Sequence, residues 1–147
     1  MKPKETVDYH IKVLWHSISN IYNQIAQEYD LTQSTGFVLL NIDNKNGTPA
    51  TSIAPLMGMK STSLSRVLKN MEKEQLIFRK KENTDKRLVK IHLTEKGEKK
   101  KKIAKKVVKD FNEYLIERLS KKELESYFTT IQSINTITEE YKQLKLS

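Results

Sequence analysis

The run "RLVKIHL", residues 87–93, restricts the fold of this chain more than any other feature. Within it the apolar residues Val89, Ile91 and Leu93 stand at every second position. A period of two is typical of a β-strand that turns one face toward a core. A second strand-like run, "LIFRKK" at residues 76–81, lies just upstream. Because only a short polar loop separates the two runs, we predict a β-hairpin.

The rest of the chain shows the three- and four-residue apolar spacing of amphipathic helices. Residues 5–29 carry the first such stripe, and Gly47 and Gly58 mark the ends of the second and third helices. Each helix after the first has a predicted N-cap, because a Ser or Thr stands ahead of its apolar run. With Thr51 as one of these caps, Pro55 falls at the fourth helical position and removes one early hydrogen bond. The predicted caps are Thr32, Thr51, Ser61, Thr94 and Ser120.

This order of elements predicts a mainly α-helical fold with a small β-hairpin. Two helices joined by a short turn and followed by a hairpin form a winged helix-turn-helix, which we assign to residues 31–97 as the DNA-binding part. The flanking residues 5–29 and 98–147 carry apolar stripes without a partner inside that part. We expect them to cover one another or to pair across a two-fold axis as N- and C-terminal dimerisation helices. Residues 1–147 would then form a single domain.

Positive charge is concentrated in the middle of the chain. The formal net charge is +9, but residues 60–109 hold 18 Lys or Arg and 6 Asp or Glu, a local net charge of +12. Residues 1–59 and 110–147 have net charges of −1 and −2. A basic block between near-neutral flanks indicates a polyanionic partner, most simply nucleic acid. A lysine-rich solvated surface is the alternative.

Composition excludes several classes of function. The 147 residues contain no cysteine, which removes disulfides, thiolate metal sites and cysteine nucleophiles. The longest apolar run, residues 37–40, is too short for a membrane span, and no signal peptide is recognisable, so we expect a cytoplasmic protein with no membrane partner. His10, His16 and His92 are too scattered for a metal site. We therefore expect no enzyme activity, no cofactor and no metal.

The helix predicted to begin near Ser61 has two unlike faces. When successive residues of the helix are placed about 100° apart, the apolar residues fall on one side and the hydroxyl and cationic side chains fall on the other. Such a polar face suits the major groove, where Arg and Lys donate to guanine and Ser or Thr contacts bases or phosphates. An ordinary solvent-exposed face is the alternative. We predict DNA contacts from Lys60, Ser61, Thr62, Ser65, Arg66 and Lys69.

The loop between the two strand-like runs places an acid among cations. We predict that Asp85 accepts a hydrogen bond from Arg87 or caps backbone N–H groups of the turn, and so stiffens the hairpin tip. A stiff tip aims its cations at the negative potential of the minor groove. The predicted contacts here are Lys81, Asp85, Lys86 and Arg87.

The stretch "DKRLVKIHLTEKG", residues 85–97, resembles the wing and following helix start of MarR-family transcriptional regulators. The family pattern there is D-x-R, five residues, L-T, two residues and G, and residues 61–79 resemble the family's recognition helix and first wing strand. By position, Arg66 matches the arginine of that helix. Gln75 stands where family members commonly have glycine. A non-glycine residue in the left-handed conformation costs about 1 kcal/mol. The matching wing residues are Asp85, Arg87, Leu93, Thr94 and Gly97.

The resemblance implies a homodimer on a pseudopalindromic site in double-stranded DNA. It also implies a small-molecule effector between the dimerisation helices and the DNA-binding part. We therefore expect a sequence-specific DNA-binding transcriptional regulator, acting as a ligand-responsive repressor. An RNA-binding or architectural nucleic-acid-binding protein is the alternative, although RNA-reading sheets present stacking aromatics and the hairpin offers only Phe78, on an apparent core strand.

Two further groups of residues can each be interpreted in two ways. Trp15, Tyr22 and Phe37 either line a ligand cavity or simply belong to the core. The lysine run within residues 99–109 either extends the phosphate contact or forms a solvated helix face, and we favour the solvated face.

Overall fold

The computed structural model describes residues 1–85 and 87–146, and the chain divides into two compact units, residues 1–107 and 108–147. A short 3-10 turn, Pro3–Glu5, precedes the first helix. The described elements then follow in this order: α1 (Val7–Gln27), α2 (Gln33–Leu40), β1 (Thr48–Pro49), α3 (Ala50–Met57), α4 (Ser61–Lys73), β2 (Ile77–Lys81), β3 (Val89–Leu93), α5 (Glu95–Arg118) and α6 (Lys121–Leu146).

The predicted fold class is confirmed, since the chain is mainly helical with one small antiparallel sheet. The hairpin of β2 and β3 is present, and a third strand, β1, extends it in the order β1-β3-β2. Ile91 in β3 pairs with Arg79 of β2 and with Thr48 of β1. The two-residue β1 includes Pro49, which lacks a backbone N–H and is tolerated at a sheet edge.

The core of the first unit lies between α2, α3, α4 and the inner face of the sheet. Its fully buried side chains come from every one of these elements and from the turn after α4. Burial of each large aliphatic side chain contributes about 1.5–3 kcal/mol, so this cluster holds the helix-turn-helix and the wing together. The largest of these side chains are Leu39, Ile53, Met71, Leu76 and Ile91.

Three of the predicted helix caps are confirmed and two are wrong. The hydroxyl of Thr32 accepts a hydrogen bond from the backbone N–H of Thr35 at 3.1 Å. Thr51 is not a cap, because α3 begins at Ala50 directly after β1, and Pro55 is therefore inside the helix at its sixth position. Ser61 is also not a cap. The extended N-cap residue of α4 is Lys60, so that the helix begins one residue earlier than predicted.

The start of α5 is fixed against the turn that follows α4. The Thr94 N–H donates to the carbonyl oxygen of Leu76 at 3.1 Å. The Thr94 hydroxyl donates to the carbonyl oxygen of Gln75 at 2.6 Å and accepts from the Gly97 N–H at 3.0 Å. Gln75 has a φ of 61°, as its place in the family pattern implied. The L-T-x-x-G spacing is thus a packing requirement of this junction.

The second unit, residues 108–147, contains the end of α5 and all of α6. The capping box at its turn is confirmed, because Ser120 N–H donates to Glu123 Oε2 at 2.7 Å and Glu123 N–H donates to Ser120 Oγ at 3.1 Å. Large apolar side chains of α6, among them Phe128 and Tyr141, are exposed. No helix of the described residues has both the length and the apolar character needed to cross a membrane.

Candidate nucleic-acid interface

Helix α4 presents a polar face to solvent because its apolar residues are used in the core. Leu64, Leu68 and Met71 are buried at the three- and four-residue spacing of a helix. Arg66 and Lys69 lie on the opposite side and are exposed. The helical spacing predicted this orientation.

The two long cations on this face have no side-chain partner among the described residues. Within the described ranges, neither Arg66 nor Lys69 forms an ion pair or a hydrogen bond. Thr62, also exposed, adds a short hydroxyl one turn earlier. An unpaired guanidinium and ammonium beside a hydroxyl can donate to base edges and phosphate oxygens without first breaking an internal contact.

An ion pair joins α4 to the wing. Arg79 Nε of β2 lies 2.5 Å from Glu72 Oε1 of α4, and both side chains are partly exposed. The pair neutralises the acid at the edge of the polar face. It also spans the turn between helix and strand, so it adds a polar contact to the apolar packing that orients the wing.

The wing tip is shaped by a backbone cap. Asp85 Oδ1 accepts a hydrogen bond from the backbone N–H of Arg87 at 2.9 Å, and the Leu88 N–H donates to the Asp85 carbonyl oxygen at 3.0 Å. Of the two predicted roles for Asp85, the structure shows the turn cap and not a contact with the guanidinium. The side chain of Arg87 is exposed, while Lys86 lies outside the described residues.

The predicted contact residues fall into two exposed groups within the first unit. One group occupies the beginning and outer face of α4, and the other occupies the end of β2 and the wing tip. Of the predicted contact residues that the structure describes, none is buried. The exposed residues are Lys60, Ser61, Thr62, Ser65, Arg66, Lys69, Lys81, Asp85 and Arg87.

Strand β2, expected to be a core strand, buries Ile77 but leaves Phe78 exposed. The strand register places Ile77 and Arg79 on the inner face of β2 and turns Phe78 outward, where it is 45% exposed. Its ring stacks on His92, the directly paired residue of β3, with centroids 5.2 Å apart. Gly47 also lies against His92, and a Cβ there would come within 2.6 Å of the imidazole. The alternation of β2 alone could not distinguish its two faces.

The lysine run of α5 is not one uniform solvated face. Lys102 and Lys105 are exposed, as expected. Lys101, in contrast, is buried at 7% exposure, and Lys100 is partly buried. Sequence reasoning missed this difference because lysine is rarely found inside a protein.

The three aromatic residues named as ligand candidates do come together. The rings of Trp15 and Phe37 are stacked with centroids 6.1 Å apart, and Tyr22 meets Phe37 edge-on at 6.0 Å. Tyr22 is buried, whereas Trp15 is 50% exposed. The cluster therefore has a closed inner part and an open aromatic edge.

Comparison with known proteins gives the family. Residues 20–104 match the family model described as "Transcriptional regulator SarA/Rot". The HTH-type transcriptional regulator SarZ of Staphylococcus aureus (strain USA300) is 34% identical over 96 residues, which span 65% of this chain and 65% of that relative's length.

Solved structures show the same fold. The S. aureus MepR–DNA complex has a TM-score of 0.82 at 22% identity, covering 89% of this chain and 97% of that one. Streptococcus pneumoniae FabT in complex with DNA has a TM-score of 0.77 at 17% identity, covering 92% and 97%. The matched family residues extend over more than half of the chain and include its whole winged helix-turn-helix. The winged helix-turn-helix fold is shared with these structures, and the protein belongs to the SarA/Rot family of transcriptional regulators.

Proposed function

We propose that the protein is a sequence-specific DNA-binding transcriptional regulator in which α4 enters the major groove and the wing lies along the minor groove. One observation carries this proposal: Arg66 and Lys69 are exposed beside Thr62, and neither side chain has an ion-pair or hydrogen-bond partner among the described residues. The exposed cations of the wing, including Lys81 and Arg87, supply contacts at a second point of the duplex. MepR and FabT, which share the fold, have been solved in complex with DNA, and this supports DNA as the partner.

The test of DNA binding is a titration of duplex DNA at several salt concentrations. Each neutralised phosphate contributes about −0.9 to the slope of log K against log salt, so several contacts give a steep slope. A duplex selected by the protein from a random library should bind much more tightly than a scrambled duplex. Single-stranded RNA of the same length serves as competitor, and preference for that RNA would favour the RNA-binding alternative. Affinity that is insensitive to salt contradicts the proposal.

The protein acts as a homodimer in this proposal. In the first unit α1 exposes Ile11, Leu14 and Trp15, and in the second unit α6 exposes Phe128 and Tyr141. Exposed apolar residues in such number are typical of an interface. Residues 5–29 and 98–147 would then serve dimerisation and residues 31–97 DNA binding. Sedimentation equilibrium tests this, and a monomer at micromolar concentration is the contrary result.

Regulation as a ligand-responsive repressor is the last part of the proposal. A dimer seated on an operator blocks access to that DNA, and an effector that prefers another conformation releases it. The cluster of Trp15, Tyr22 and Phe37 is the proposed effector site. Trp15 is the single tryptophan of the chain, so its fluorescence reports binding directly. Because such a repressor binds genomic DNA, the proposed location of the protein is the cytoplasm.

A further inference from the structure

Two consecutive lysines of α5 hold the ends of two other helices. Lys100 Nζ donates to the carbonyl oxygen of Tyr29, just beyond α1. Lys101 Nζ donates to the carbonyl oxygen of Ile42, just beyond α2, and to Asn44 Oδ1 at 2.7 Å. Both lysines thus satisfy polar groups near helix C-terminal ends, where cations are favoured.

Lys101 occupies a position at which an apolar residue is expected. Gly97 and Ala104, one turn away on either side along α5, are both buried, so Lys101 belongs to the inward stripe of the helix. Burial lowers the pKa of Lys101 below its ordinary value, and the neighbouring Lys105 lowers it further, whereas Asp43 and Glu98 raise it. A buried ammonium is tolerated when hydrogen bonds satisfy it, and here two acceptors from the same loop do so.

The loop that Lys101 holds leads directly into the helix-turn-helix. Asp43 Oδ1 accepts from the backbone N–H groups of Lys45 and Asn46 at 2.9 and 2.6 Å, and the Asp43 N–H donates to Thr48 Oγ1 at 2.9 Å. Residues 42–48 are therefore a rigid turn. Since β1 and α3 follow at once, the position of this turn sets where the helix-turn-helix begins.

We infer that Lys101 is a positioning residue for DNA binding, which clamps the turn at residues 42–48 to the first turns of α5. The inference rests on the proposed function, because it explains how the helix-turn-helix is held ready for DNA. Lys101 does not contact phosphate itself, since its ammonium is directed at Ile42 and Asn44 inside the first unit. Without the clamp, we expect the turn and the start of α3 to be less ordered in the free protein, so that ordering them on binding weakens affinity.

The test compares Lys101→Met with Lys102→Met. Both variants remove one positive charge from the same helix, but Lys102 is exposed, so a purely electrostatic role affects both alike. Affinity for the selected duplex is measured well below both melting temperatures. We expect Lys101→Met to lose about tenfold in affinity, because the released turn must be ordered on binding, and Lys102→Met to lose much less. Equal losses overturn the inference.

A second variant removes the loop side chain that accepts a hydrogen bond from Lys101. Asn44 is exposed, so Asn44→Ala removes one acceptor without disturbing the core and remains usable if Lys101→Met folds poorly. It should weaken DNA binding, and the double variant should lose no more than Lys101→Met alone, because both changes break the same contact. Strict additivity, or unchanged affinity in Asn44→Ala, overturns the inference.

Amide hydrogen exchange separates positioning from general destabilisation. In Lys101→Met, exchange should accelerate at residues 42–48, while amides around Met71 in the core of α4 keep their protection. Uniform acceleration across the first unit indicates a merely structural lysine and overturns the inference. If the wild-type protein binds no duplex at all, the proposed function fails. Wild-type binding with equal losses in the two methionine variants refutes only the clamp.

Discussion

Gly97 in the first turn of α5 lies against the backbone of Leu76 so closely that a Cβ on Gly97 would stand 2.0 Å from the Leu76 carbonyl oxygen. That oxygen also accepts the hydrogen bond from Thr94 N–H, so it has no freedom to move aside. The turn after α4 and the beginning of α5 are therefore joined at a point that admits no side chain.

Gly97→Ala should lower the free energy of unfolding by about 3 kcal/mol, because overpacking against backbone cannot be relieved by a rotamer change. Urea denaturation monitored by circular dichroism measures the loss. Gly36→Ala in α2 is the matched control, since a Cβ there meets only Ala104 at 3.9 Å. The control should be neutral or stabilise by about 0.5–1 kcal/mol, as alanine does inside a helix. Similar effects in both variants would disprove the close contact.

Arg66→Ala should weaken binding of the selected duplex by about 1–3 kcal/mol and reduce its preference over a scrambled duplex. The reason is that the guanidinium lies on the exposed face of α4 that is proposed to read bases. Lys105→Ala removes the same charge from an exposed position of α5 and serves as control. Titrations with both duplexes at one salt concentration measure the ratio. If the two variants lose equally on both duplexes, the assigned face of α4 is incorrect.

Asp85→Asn and Asp85→Ala should behave differently, although both remove the negative charge of the wing tip. Asparagine retains an oxygen that can accept from the Arg87 N–H, so the turn persists and DNA affinity stays near that of the wild type or rises. Alanine loses the cap, and ordering the tip then costs about 0.5–1.5 kcal/mol per side chain held. Duplex titration decides between them. Equal weakening in both variants would show that the carboxylate acts through its charge on the guanidinium.

Asp43 should make the stability of the protein depend on pH in acid. Hydrogen bonds from the backbone N–H groups of Asn46 and Lys45 lower the pKa of Asp43 below its ordinary value of 3.8. The folded state therefore binds a proton less readily than the unfolded state. The resulting stabilisation is present above pH 3.8 and is lost as the pH falls through the lower folded pKa.

Asp43→Asn, which cannot ionise, tests this dependence. Melting temperatures of the variant and the wild type, measured between pH 2 and pH 6, should differ most near pH 6 and converge toward pH 2. A constant difference across that range would exclude a contribution from the charge of Asp43.

The sequence predicted the elements whose signals are local and periodic. The alternation of Val89, Ile91 and Leu93 and the spacing of Thr94 and Gly97 correspond directly to the wing strand and to the start of α5. These predictions were correct because, at each of these positions, the residue type has only one common structural role. The candidate DNA contacts on α4 followed in the same way, since its apolar spacing fixes which face remains outside.

The features that escaped prediction depend on contacts between distant residues. Strand β1 has only two residues, too few for an alternating pattern, and it exists because β3 offers it an edge. Lys101 looked like part of a solvated run until the loop beyond α2, nearly 60 residues away in sequence, supplied its acceptors. The caps at Thr51 and Ser61 were misplaced, because α3 begins two residues and α4 one residue before the expected first turn.

The junction of Leu76, Thr94 and Gly97 also fixes the base of the wing independently of the length of its hairpin. Because the hairpin is anchored there at its lower end, residues added at the tip leave the seating of α4 unchanged. Two added residues, one in each strand, lengthen the arm by about 3.3 Å. In the proposed DNA complex, the length of the hairpin can therefore change how far the wing extends along the backbone without altering which bases α4 meets.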